Sequence, residues 1–140
     1  MILDEFKSLE QLAAAIKTLD MVTAIPWTPY QDDSTIVGWS SYTIEQLNYK
    51  KIGKLVFVQF RLDGTSDNVA ATFTLPFACV AGADFILSIH ARDNSGTRAI
   101  GVLSLPGGSS TVTLYSTAAL ATWTASGTKE ARRAFFYESA

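Results

Sequence analysis

The sequence predicts a mainly β fold: an antiparallel β-sandwich, jelly-roll-like, with one short N-terminal α-helix. Three observations carry that expectation. Stretches of alternating apolar and polar residues recur through 42–140, each bounded by Gly, Pro, Asn, Asp or Ser. Helical spacing occurs once, near the N-terminus. Charged residues make up only 17% of the chain while Ser and Thr are plentiful, which suits sheet surfaces better than exposed helices. With 140 residues and 48% hydrophobic content, one domain with a real core plus an appendage is expected. The expected organisation is a helical stem over 1–22, a linker over 23–41 and a β-sandwich head over 42–140.

The helix is expected over Asp4–Asp20. Leu9, Leu12, Ile16 and Leu19 repeat at heptad spacing, with Ile2, Leu9 and Ile16 at one core position and Leu12 and Leu19 at the other. Ala13, Ala14 and Ala15 raise helix propensity, and Glu5 interrupts the seam. Two readings of this narrow stripe stand ahead of a third, in which the segment is disordered. The helix folds back on its own sandwich, or it bundles with copies of itself. A helix this short needs tertiary support in either case. Ile2, Leu9, Leu12, Ile16 and Leu19 are thus the candidate oligomer interface.

Pro26 and Pro29 bar a helix from the linker, and Asp32-Asp33-Ser34 has the composition of a turn. Trp27, Tyr30 and Trp39 are large aromatics placed in this irregular stretch. Strands are then expected at Tyr42–Tyr49, Lys54–Asp63, Val69–Leu75, Phe85–Ala91, Arg98–Leu105, Ser110–Tyr115, Ala119–Thr124 and Ala131–Glu138. The second is the organising one. Val56, Val58, Phe60 and Leu62 fall on one face, while Leu55, Phe57, Gln59, Arg61 and Asp63 run from apolar to charged on the other. A strand with one greasy face and one half-greasy face belongs inside a two-sheet fold and asks for partial cover on its back.

The residues argue against catalysis. Cys79 is the single cysteine and sits in Leu-Pro-Phe-Ala-Cys-Val, where a buried inert thiol is expected. His90 is the single histidine, so a metal site lacks ligands, and no cofactor is implied. Asp32-Asp33 and Asp93-Asn94 suit turns rather than calcium. The carboxylates Glu45, Asp63, Asp84, Glu130 and Glu138 are scattered rather than paired as glycoside hydrolysis needs. Gly64-Thr65-Ser66 has no strand-to-helix elbow, and Gly107-Gly108 enters a strand rather than a helix. With net charge −2 and no basic block, nucleic acid is not an expected partner. No apolar run approaches a membrane span, so no membrane insertion is expected. The Met-Ile-Leu-Asp-Glu start lacks a signal peptide's features, and synthesis in a cytoplasm is expected.

Binding of sugars fits better. Aromatic rings stack on the apolar faces of sugars while amides and guanidiniums bond the hydroxyls. Trp39 and Tyr42 at the mouth of the first strand are the candidate stacking residues. Arg92, Asn94 and Arg98 about one hairpin tip are the candidate hydrogen-bonding residues. Trp123, with the small neighbours Ala119 and Ala121, is expected in the core or an interface.

Three segments together give the chain a family likeness. They are Trp39 to Gly64, with its Tyr49-x-x-Ile52-Gly53-Lys54-x-Val56-x-Val58-x-Phe60 core; Gly64-Thr65-Ser66 followed by Phe73-Thr74-Leu75-Pro76; and Trp123-x-x-Ser126-Gly127 with Phe136-Tyr137. In these it resembles the β-rich distal domains of bacteriophage tail-fibre, neck-fibre and receptor-binding proteins. The resemblance implies a non-enzymatic virion protein made in the host cytoplasm. It implies a homotrimer of jelly-roll-like heads on a stem, in contact with other virion proteins and with bacterial surface polysaccharide. No receptor residue carries over from it. A carbohydrate-binding module of a secreted enzyme and a particle-decoration protein without receptor binding are the alternatives. A trimeric signalling jelly roll resembling tumour necrosis factor is disfavoured by the missing secretion signal and disulfides.

Overall fold

The computed structural model describes residues 8–23 and 25–140, with the backbone alone for 18–23. After helix α1 (Leu9–Thr23) come nine strands: β1 (Thr28–Pro29), β2 (Ile36–Val37), β3 (Trp39–Ile52), β4 (Leu55–Ser66), β5 (Thr72–Thr74), β6 (Phe85–Asp93), β7 (Ala99–Leu105), β8 (Thr111–Tyr115) and β9 (Thr128–Glu138). They form one antiparallel sheet, in the order β1-β3-β4-β9-β6-β7-β8-β5-β2, that curls on itself into a sandwich-like β fold, as the composition and alternation predict. The meander β6-β7-β8 with β5 returning beside β8 is a Greek key.

The alternation of β4 sets the core. Val56, Val58 and Leu62 are fully covered and Phe60 nearly so, and they meet Phe73, Leu103, Leu105, Val112, Leu114 and Tyr137 from the other strands. Each such side chain contributes about 1.5–3 kcal/mol by leaving water. β4 is paired along its length on both sides, by β3 and by β9. β9 then pairs with β6 only over Lys129–Arg132 before the strands part, so this short seam is where the sheet turns from one layer into the other.

The structure differs from the sequence expectation in two places. Ala119–Thr124 is a loop, not a strand: Leu120 turns at φ 62°, and the loop folds back through Ser116 N–H to Ala121 O. It is seated by Trp123, whose N–H donates to Val69 O and whose indole is 2% exposed. The stretch read as a linker supplies β1 and β2, two-residue edge strands against β3 and β5. Tyr30 in the same stretch packs edge-on against Tyr49, and Lys50 lies over the Trp27 ring. The helix is described from Leu9, and no helix among the described residues is long and apolar enough to cross a membrane.

Candidate functional site

Tyr42, Gly64, Lys129 and Asp93 are successive cross-strand partners on β3, β4, β9 and β6, so Trp39, Tyr42 and the Asp93 hairpin share one end of the sandwich. In a regular strand residues 39 and 42 would face opposite ways. Register shifts between Trp39 and Ser41 and between Tyr42 and Ile44 change that. Trp39 opposes Ser66 and Tyr42 opposes Gly64, two residues apart on β4, so both rings face inward and stack at 6.2 Å and 27°. Such bulges re-aim side chains at sheet ends.

What the rings enclose is Lys129. It is fully buried, and its Nζ donates to the carbonyls of Gly38 (2.9 Å), Asn68 (2.8 Å) and Ala70 (3.3 Å). Nζ also lies 5.0 Å from the Trp39 ring centroid and 5.5 Å from that of Trp123. Both indole N–H groups bond backbone, Trp39 to Lys129 O and Trp123 to Leu114 O. Burial holds the Lys129 amine down to about 8, against the opposing pull of Asp67 and Asp93. Gly38 has φ 121°, and a Cβ there would sit 2.5 Å from Ala70 O, so glycine lets the chain pass close enough to reach the amine. Trp39, expected as a stacking platform for sugar, is 6% exposed, its ring taken up by Tyr42 and Lys129. Tyr42 is half-buried. Burial, then the charges of Glu45 and Asp67, push its phenol up to about 12.

The hairpin tip is a left-handed two-residue turn, with Asn94 at φ 48°, Ser95 at φ 57° and Gly96 N–H donating to Asp93 O. Arg92 is committed to it: Nε donates to Gly96 O (2.9 Å), Nη2 to Ser95 O (3.3 Å) and Nη1 to Glu130 Oε1 (3.2 Å). The Asp93 carboxylate accepts from the N–H and hydroxyl of Thr124, fastening the 116–127 loop to the hairpin. Asn94 lies against Gly127, and Arg98 is exposed. Thus the two aromatics and the hairpin lie at one end, but Trp39 and Arg92 are occupied in holding it together.

A different surface is open. On the back of β3, β4 and β9 a shallow cavity of about 310 Å³ is lined by Gln46, Gln59, Phe60, Arg61, Arg132, Arg133 and Ala134. Arg61 and Arg132 are direct cross-strand partners, and His90 is the partner of Arg132 on its other side. Arg61 donates through Nε to Asp63 Oδ2 at 2.8 Å, which leaves both Nη groups available. Glu130 is held by Arg92, and its Oε2 is 3.8 Å from His90 Nε2. Arg132 has no hydrogen-bond or ion-pair partner among the described residues. Toward the other end this face turns apolar, with Leu55 and Phe136 exposed and Phe57 half-buried beside Phe136. Where β6 leaves β9, Phe85, Leu87, Phe135 and Phe136 line a cleft of about 220 Å³. The sequence marked the half-greasy back of β4. That Arg132 stands opposite Arg61 depends on a register between strands distant in sequence, which no local signal carries.

Of the helix seam, Leu9 is 84% and Ile16 52% exposed, and Leu12 is half-buried. Ile2 and the side chain of Leu19 lie outside the described residues. Cys79 is buried, and burial pushes its thiol up. No group of three His, Cys, Asp or Glu gathers among the described residues. No protein-family model matches the chain, and no curated protein matches it.

Proposed function

We propose that the chain is a non-enzymatic structural protein of a bacteriophage virion, a fibre or receptor-binding tip, that assembles as a homotrimer and attaches to host-surface glycan. The carrying observation is apolar surface left without cover in two places. One is the heptad seam of α1 at Leu9 and Ile16; the other is the sheet back at Leu55 and Phe136. A short exposed helix of heptad spacing is marginal alone, and copies of the chain cover both surfaces at once. The virion class comes from the segments around Trp39–Gly64, Phe73–Pro76 and Trp123–Tyr137 that resemble phage fibre domains.

Sedimentation at low concentration tests the assembly. Three copies of the 15.2 kDa chain are expected, and a clean 15.2 kDa monomer overturns it. Leu12→Asp with Ile16→Asp is expected to dissociate the particle into folded monomers, because buried carboxylates would face one another without partners. If the helix instead packs on its own sandwich, the mass stays constant and only stability falls. Adsorption to bacterial cells and to their isolated polysaccharides tests attachment.

A further inference from the structure

On that reading of a glycan-attaching head, we infer that the ligand site is the back of β4 and β9 at Arg61, Arg132, Gln46 and Gln59, and that it takes a sugar acid. The site is not the loop end.

Two arginines stand directly opposite each other on paired strands. Like charges so placed destabilise a sheet. Among the described residues the pair is offset on one side only, by the ion pair of Arg61 with Asp63. Asp63 engages only the Nε of Arg61, and Glu130 is turned to Arg92. The partner of Arg132 on its other side is His90, not a carboxylate. Two guanidinium forks therefore present free donors above one shallow cavity. That donor geometry matches a carboxylate, which guanidinium binds through paired N–H···O bonds. Asp63 holds Arg61 by the inner nitrogen and so aims its outer fork instead of consuming it.

The rest of the cavity fits a sugar rather than a bare ion. Gln46 and Gln59 border the arginines with amide donors and acceptors suited to hydroxyl groups. Ala134 leaves room above β9, and the cavity of about 310 Å³ has the size of a small-ligand cleft. The loop end lacks these features: Lys129, Arg92 and both indole N–H groups are already bonded, and Arg98 is exposed outside the strands, with no second arginine as its cross-strand partner.

The test uses the full chain and calorimetric titration with an oligogalacturonate, a neutral malto-oligosaccharide of equal length, and inorganic sulfate. Binding of the oligogalacturonate alone is expected, about tenfold weaker in Arg132→Gln. Arg132→Lys, which keeps the charge without the fork, should recover part of it. Thermal melts confirm that each variant is folded, and Arg98→Gln, at the exposed hairpin, should bind as the parent does. Equal binding of the neutral sugar overturns the acid specificity. Sulfate binding as tightly as oligogalacturonate reduces the site to a simple anion patch and overturns the sugar ligand. Oligogalacturonate affinity unchanged in Arg132→Gln overturns the placement. If cells and polysaccharides bind the protein but oligogalacturonate does not, this inference falls and glycan attachment stands. If nothing glycan-bearing binds, the attachment reading falls with it.

Discussion

Lys129 and Arg132 are three residues apart on one strand, and the fold treats their charges in opposite ways. Lys129 is fully buried, donates to three carbonyls and lies near two indole rings. Arg132 is half-exposed, opposes a second arginine and has no partner among the described residues. A buried charge survives only when its hydrogen-bonding capacity is met. Lys129 meets that condition and ties the approach to β3, the 66–71 segment and the start of β9 into one unit. Arg132 does nothing comparable for the fold. A cation that the fold leaves opposed and unpaired is where a partner from outside has something to offer.

The comparison can be broken most sharply at the interior. Lys129→Met should leave the carbonyls of Gly38, Asn68 and Ala70 without their donor, at a cost of about 3–5 kcal/mol. Urea unfolding followed by tryptophan fluorescence reads this directly, because Trp39 and Trp123 flank the amine. A loss under about 1 kcal/mol would remove the lysine from any structural role.

The same residue gives a pH signature. The amine titrates at about 8 when folded against an ordinary value of 10.5, so the unfolded chain holds more protons between them. Stability should therefore rise with pH across that window, by up to roughly 1.4 kcal/mol per unit. Above about pH 10 the trend should reverse. Burial raises the phenols of Tyr42, to about 12, and of Tyr137, so the unfolded chain ionises first. Urea midpoints across the range check both limbs, and Lys129→Met should flatten the first.

The smallest effect is expected at the surface and has the opposite sign. Arg132→Gln removes one of two like charges and should stabilise the sheet by about 0.2–1 kcal/mol. A destabilised variant in the same urea assay would mean that Arg132 has a structural partner after all.

The strands were legible wherever one face had to be buried. Val56, Val58, Phe60 and Leu62 declare both the strand and its inward side, and each is at most 3% exposed. Ala119–Thr124 misled because alternation around a tryptophan also fits a loop that seats one ring. Leu120 at φ 62° marks the turn, and nothing in its residue type announces it. β1 and β2 were hidden by their length and by Pro29, which an edge strand tolerates. Trp39 and Tyr42 lie at the mouth of the first strand as expected, but two bulges, which no residue type announces, turn their rings inward. Lys129 follows Ser126-Gly127-Thr128, where a lysine ordinarily points to water. Its burial depends on carbonyls from segments distant in sequence, so only the folded chain reveals it.

β9 lies in the middle of the sheet, yet it is the last of the nine strands to be made. Until it emerges, β4 and β6 present open edges, and the two layers have no shared seam. Ribosome-bound chains that stop before Thr128 should thus expose two pairing-competent edges, which invite association between nascent chains. On the proposed assembly from copies of the chain, the order of synthesis puts closure of the sheet ahead of assembly, since β4 and β6 lose their open edges only when β9 is inserted between them.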